Sequence, residues 1–204
     1  MDAIQLRRAE AYLRDSIAVY ESMLADRTLM AQIVQLSAVA SEAVRSGGKI
    51  MFAGNGGSAA DAQHFAAELV SRFYYDRPGI ASLALTTDSS ILTAIGNDYH
   101  YERIFSRQIE ALGRSGDVFV GISTSGRSPN VLGGLAAARS LGLRTVGLTG
   151  RSGGDMAVLC DIVIRVPSDS TPLIQQGHLL VGHLLCAIIE ETIHPRGRDP
   201  SERP

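Results

Sequence analysis

The residues best suited to chemistry stand in two groups. His64 and Glu68 are four apart, with Asp61 three residues before His64, and Gln175 and His183 are eight apart near the other end of the chain. On one α-helix, residues i and i+4 share a face one turn apart, and i−3 falls on the same side. Directly before the first group runs Gly54-Asn55-Gly56-Gly57-Ser58. A glycine turn entering a helix N-terminus brings unpaired N–H groups and the positive end of the helix dipole close to an anion. Such a cradle beside a His/Glu pair points to a phosphorylated small molecule, with a metal as a further option. The competing reading is a plain capped helix start carrying a solvated His/Glu pair.

A second cradle follows at Ser123-Thr124-Ser125-Gly126-Arg127-Ser128-Pro129-Asn130, four hydroxyls around a glycine ahead of a helix that begins near Ser128-Pro129. Hydroxyls and backbone N–H groups can surround a phosphate without a lysine. Gln175 and His183 lie about 12 Å apart along one straight helix and about 80° around it, so long side chains there can just converge on an ion. His178 falls about 140° from His183 by the same geometry, so the two histidines do not serve one site. Leu179, Leu180, Val181, Leu184 and Leu185 surround His183, and a hydrogen-bonded core histidine remains the alternative there.

Five apolar runs can position these groups: 49–53, Ile80–Leu85, Asp117–Ile122, Arg144–Leu148 and Asp161–Val166. They alternate with helical segments near 58–73, 88–112 (broken at Gly96), 128–141, 151–159 and 172–193. Strands alternating with helices predict an α/β fold, a five-stranded parallel sheet covered on both faces. Ligands in such sheets sit beyond the carboxyl ends of the strands. That rule gathers Asn55–Ser58, Thr86–Asp88 and Ser123–Ser128 on one rim.

Two further helices, 3–25 and 28–46, precede the first strand, the second with a stripe of Ile33, Leu36, Val39 and Val44. They form either an appendage for subunit contact or extra cover for the protomer's own core. The chain thus divides into an N-terminal helical segment (1–47), the site-bearing domain (48–194) and a frayed tail (195–204).

The 204 residues carry a net charge of −2, which leaves no electrostatic footprint for nucleic acid. An anionic ligand must therefore be held by local dipoles, hydroxyls and a few arginines. Cys160 and Cys186 are isolated in apolar segments and read as core residues of a reducing compartment. The start MDAIQLRRAE has no apolar leader core, and no stretch is expected to span a membrane, so a cytoplasmic location is expected.

The segments GNGGSAADAQHFAAE, GNDYHYERIFSRQ, STSGRSPN and TPLIQQGHLLVGH, in this order and spacing, resemble the phosphoheptose isomerases, a family of the sugar-isomerase (SIS) fold. The likeness runs from the N-terminal helices to His194. It implies a flavodoxin-like SIS sheet with an N-terminal helical extension. By the same resemblance, Asn55, Gly56, Gly57, Ser58, Asn97 and Asp98 would contact the substrate, with Glu68 and Gln175 beside it. Ser123, Thr124, Ser125 and Ser128 would hold its phosphate. His64, Glu68, Gln175 and His183 would bind one Zn2+, and Glu68 and His183 would also transfer protons. The implied reaction converts sedoheptulose 7-phosphate to D-glycero-D-manno-heptose 7-phosphate through an enediol, the first step toward nucleotide-activated heptose. The family also implies a homotetramer with shared active sites.

Two positions depart from the family pattern: Leu173 where a basic residue is expected and Gln176 where a glutamate is. Neither is an expected metal ligand. Asp61 either orients His64 or faces solvent, and His100 replaces a frequent glycine without an assigned role. A non-catalytic SIS regulator of replication initiation, binding a protein partner, is the main alternative, but such proteins lack the second histidine that His183 supplies. An amino-sugar-phosphate isomerase or sugar-phosphate sensor shares the serine-rich loop and leaves the His/Glu and Gln/His sets unexplained.

Overall fold

The computed structural model describes residues 2–196. Five parallel strands, β1 (Ile50–Gly54), β2 (Ser82–Ala84), β3 (Val118–Ile122), β4 (Arg144–Gly150) and β5 (Ile162–Val166), form one sheet in the order β2-β1-β3-β4-β5. This is the flavodoxin-like doubly wound order, whose switch point lies between β1 and β3. Among the described residues seven α-helices accompany it: α1 (Ala3–Ala25), α2 (Arg27–Arg45), α3 (Gly57–Val70), α4 (Ser89–Tyr99), α5 (Ser106–Leu112), α6 (Pro129–Ser140) and α7 (Thr171–Ile193).

The two faces of the sheet are built by strand alternation. In β1, Ile50 and Phe52 enter the core beneath α2, α3 and α7, whereas Met51 and Ala53 enter the core beneath α5 and α6. In β3, Val118, Val120 and Ile122 join the first core and Phe119 joins the second. β1 and β3 are buried at every position, as befits central parallel strands.

α2 buries Leu29, Ile33, Leu36, Ala40 and Ala43 in the first core, continuous with the sheet. α1 buries only Ser16, Val19 and Met23. A separate α1 stripe of Leu6, Leu13, Ile17, Tyr20 and Leu24 stands exposed, Leu24 at 73%.

Four expectations are corrected. The helix expected over 88–112 is interrupted at His100 rather than Gly96, which lies inside α4. His100 has φ 73, the only non-glycine with positive φ among the described residues, and a 3₁₀ turn, Tyr101–Arg103, follows. The segment expected as a helix over 151–159 forms only a 3₁₀ turn, Gly154–Val158. Gly153 and Gly154 have φ 75 and 52, left-handed values that stop an α-helix before it starts.

β2 is shorter than the run from Ile80 to Leu85, because the Ile80 amide donates to the Leu69 carbonyl instead of the ladder. Contrary to the expectation of no span-like stretch, α7 is long and apolar enough to cross a membrane by length and composition. Here it is a core helix, burying Ile174, Val181, Leu185 and Ile189 against the sheet. Residues 197–204, most of the expected frayed tail, lie outside the described residues; just before them, Arg196 stacks over Tyr75 at 4.7 Å.

Candidate active site

The carboxyl-end rim is built from helix starts. α1, α2 and α4 begin with Asp2, Asp26 and Asp88, whose carboxylates accept first-turn amides. α3, α6 and α7 begin at Gly56, Ser128 and Ser170 with no side-chain cap. All three open at the ends of strands. At α3 the Ser58 and Ala59 amides already donate to the Asn55 and Gly56 carbonyls, and at α6 the Val131 amide donates to Asn130 Oδ1. Aspartate caps thus occur on α1 and α2, which follow no strand, and also on α4, which opens beyond β2 on the same rim.

The serine-rich loop is already organised. Ser123 Oγ lies 2.9 Å from Ser128 Oγ and 3.4 Å from Ser125 Oγ, and the Arg127 amide donates to Ser125 Oγ at 3.2 Å. The Thr124 carbonyl accepts the Gly150 amide, which ties the loop to β4. Gly126 needs its missing side chain as well as its φ of 66, because a β-carbon there would strike the Gly153 carbonyl. Thr124, Ser125, Arg127, Arg151 and Thr171 line a hollow of about 170 Å³ on the outer side of the loop.

Across the switch point, Asn55 and Asn130 exchange amide hydrogen bonds at 2.9 and 2.8 Å, and Tyr101 donates to Asn55 Oδ1 at 3.1 Å. Asn130 and Tyr101 lie within the STSGRSPN and GNDYHYERIFSRQ segments, where the sequence assigns neither a role. Their common partner is distant in the chain, so no local signal marked them. Ser58 is buried on α3, at 3% exposure. Asn97 and Asp98 stand exposed at the end of α4, where Asn97 Nδ2 donates to Asp98 Oδ1 at 2.8 Å.

The two catalytic candidates' helices meet at their histidines. His64 Nε2 and His183 Nε2 are 2.8 Å apart, and Glu68 Oε1 is 3.6 Å from His64 Nε2. Phe73 packs against His183 with ring centroids 5.4 Å apart and the planes tilted by 47°. His183 is therefore not the buried core histidine that the apolar helix allowed. That place belongs to His178, fully buried and bonded to the Thr149 carbonyl at 3.1 Å. Burial, only partly offset by that bond, lowers the His178 pKa to about 4. The Gln175 amide lies against Gly57, where a β-carbon would approach its Nε2 to 2.5 Å.

Asp61 makes no hydrogen bond to His64; its Oδ2 is buried without a partner. Burial raises its pKa, with His64 pulling the other way. Of the two departing positions, Leu173 packs at the edge of the first core, and Gln176 donates to Tyr12 of α1 at 3.0 Å. Cys160 and Cys186 are free, and burial pushes both thiols up to about 12, so neither is a nucleophile at neutral pH.

Two imidazole nitrogens, a carboxylate and a nearby amide are a donor set that suits zinc. The match in type is good. Among the described residues, however, no group of three or more His, Cys, Asp or Glu is arranged closely enough to hold an ion. At 2.8 Å the two ring nitrogens stand within hydrogen-bond distance of each other. Two tetrahedral ligands at zinc distances sit roughly 3.3 Å apart, so a shift of about half an ångström would convert one arrangement to the other.

A SIS domain model matches residues 11–150. A phosphoheptose isomerase of Aneurinibacillus thermoaerophilus is 56% identical over 184 residues, covering 90% of this chain and 93% of its own length. The structure of phosphoheptose isomerase GmhA from Neisseria gonorrhoeae superposes with a TM-score of 0.85 at 43% identity, over 92% of this chain and 99% of that one. A phosphoheptose isomerase structure from Francisella tularensis gives a TM-score of 0.88 at 36% identity, over 92% and 98%.

Proposed function

We infer the chemistry of this site from one premise: the chain belongs to the phosphoheptose isomerase family of SIS domains. It is a phosphosugar isomerase that interconverts the ketose and aldose forms of a heptose phosphate. The substrate pair we assign is sedoheptulose 7-phosphate and D-glycero-D-manno-heptose 7-phosphate. The observation that carries the mechanism is the meeting of His64, Glu68 and His183 between α3 and α7, with the hydroxyl cradle of Ser123 and Ser128 beyond the end of β3.

Ser123, Thr124, Ser125 and Ser128, with the uncapped start of α6, hold the phosphate. Asn55, fixed by Asn130 and Tyr101, and the Gly56-Gly57-Ser58 turn hold the sugar hydroxyls, with Asn97 and Asp98 as further contacts. Glu68 takes the proton from C1 of the ketose, leaving an enediol, and returns it to C2. His183 moves the hydroxyl proton from O1 to O2, so that C1 becomes the aldehyde carbon. A zinc ion bound by His64, Glu68, Gln175 and His183 would supply positive charge that polarises the carbonyl and stabilises the enediolate.

The working form we propose is a homotetramer with shared sites. Its support is the exposed apolar stripe on α1 and the openness of the site in one protomer, where the His64 side chain is 42% and Glu68 25% exposed. Within the 1–47 segment, α1 is then the contact helix. Two unpaired cysteines suit a cytoplasmic setting.

The test is turnover of sedoheptulose 7-phosphate by metal-stripped protein, with and without zinc, beside H183Q and E68Q. Zinc-dependent product that H183Q loses supports the site as drawn. Full turnover by E68Q removes Glu68 from the base role. No turnover in any condition from folded protein overturns the enzymatic reading in favour of a partner-binding regulator.

A further inference from the structure

Glu190 and Arg77 form an ion pair with almost no solvent contact, Arg77 Nε donating to Glu190 Oε1 at 3.0 Å between side chains 2% and 0% exposed. Neither residue belongs to the site described above. Replacing a buried pair of this kind by apolar groups is often neutral for stability, so stability alone is a weak reason for it. Its connections offer another reason.

Glu190 lies two turns beyond His183 on α7, within about 20° of the same face. Its carboxylate also accepts the Phe73 amide at 2.8 Å and the Tyr74 amide at 2.7 Å. These three donors outweigh burial and hold the carboxyl below its ordinary range. Phe73, anchored in this way, is the residue whose ring packs at a tilt against the His183 ring.

Arg77 meanwhile closes the C-terminal end of α3. Its Nη2 donates to the Glu68 carbonyl at 2.9 Å, and Nη1 donates to the Leu69 carbonyl at 2.6 Å. Those carbonyls belong to the last turn of the helix, where intrahelical donors run out. One guanidinium thus grips the backbone of Glu68, and its carboxylate partner grips the helix and the aromatic neighbour of His183.

We propose that Arg77 and Glu190 are positioning residues for proton transfer, a clamp that sets Glu68 on α3 against His183 on α7. The proposal rests on the reading of Glu68 and His183 as base and proton carrier. Because the clamp acts on geometry between two groups already at the substrate, its loss slows turnover more than it weakens binding.

The experiment compares E190Q, R77K and the double variant R77M/E190M with the parent, all as zinc-loaded protein. Circular dichroism and melting temperature report the fold, and kcat and KM for sedoheptulose 7-phosphate are measured separately. The expected result is a fall in kcat of at least 10-fold in E190Q with KM changed less than about 3-fold. R77M/E190M should recover the melting temperature while kcat stays low. Recovery of both melting temperature and kcat in the double variant would make the pair merely structural and overturn the proposal. If E190Q does not fold, the double variant alone decides between these outcomes. Parallel assays of E68Q and H183Q keep the two readings apart. Retained activity in those variants refutes the base and proton-carrier roles, whereas their inactivity with normal kcat in R77M/E190M refutes only the clamp.

Discussion

The ring of Phe65 occupies the space that a β-carbon on residue 182 would need, so α3 and α7 can pack only because residue 182 is glycine. Phe65 adjoins His64 and Gly182 adjoins His183, which places this contact directly behind the two facing imidazoles. The approach of the two helices and the 2.8 Å between the rings are one packing event.

Gly182→Ala is therefore expected to push α7 away from α3. Overpacking of this kind costs about 1–3 kcal/mol, and the histidine pair separates with the backbones. Denaturant unfolding should show the loss of stability, and kcat should fall by about 10-fold or more. An alanine variant with parental activity would mean that the catalytic helices tolerate displacement.

Asn130 is 2% exposed and pairs both ways with Asn55. Asn130→Ala removes the partner of the part-buried Asn55 Nδ2 while Tyr101 still reaches Oδ1, a loss of about 0.5–1.5 kcal/mol for one hydrogen bond. On the role proposed for Asn55 in holding the sugar, activity should suffer beyond that, since Asn55 loses one of the two residues that fix it. Steady-state kinetics on N130A should give a kcat/KM reduced by about 10-fold or more, while Asn130→Asp, which keeps an acceptor, should fall between it and the parent.

His178 should make the protein acid-sensitive. The carbonyl of Thr149 can only accept, so His178 Nε2 carries the hydrogen, and the buried Nδ1 has no partner. The folded state takes a proton on this ring only near pH 4, against 6.5 for the unfolded chain. Between those values the unfolded state binds more protons, so stability falls as pH falls through that window, by about 3 kcal/mol once both forms are charged. Urea titrations from pH 7 to pH 4 should show this slope, and it should flatten in His178→Gln.

Leu13, Ile17 and Leu24 are 62%, 55% and 73% exposed along one stripe of α1. Converting all three to serine should change the protomer's own packing little, because none is buried in it. Light scattering after size exclusion should show a smaller assembly than the parent's. An unchanged mass would move the subunit contact to another surface.

The sequence by itself determined most of the elements and the placement of the two Gly/Ser-rich turns at strand ends. Strand alternation, glycine turns and serine-rich helix starts are local preferences, and they carried the parallel five-stranded sheet, the rim and the residues near Asn55 and Ser123 onto the structure. Local preference also misled where backbone contacts outside the segment prevailed. Gly96 continues a helix that His100 ends, and Gly153-Gly154 is drawn against the serine-rich loop instead of starting a helix.

Tertiary structure decided which distant residues meet, and of these pairs only His64 with His183 is one that the family resemblance already implies. His64 finds His183 at a separation of 119 residues, Asn55 finds Asn130 at 75, and Arg77 finds Glu190 at 113. Helical spacing could place a face on α3 and another on α7, but not the angle or distance between the helices. Those depend on the fit of Phe65 over Gly182 and on a buried ion pair, and neither partner of either contact is visible to the residues around the other.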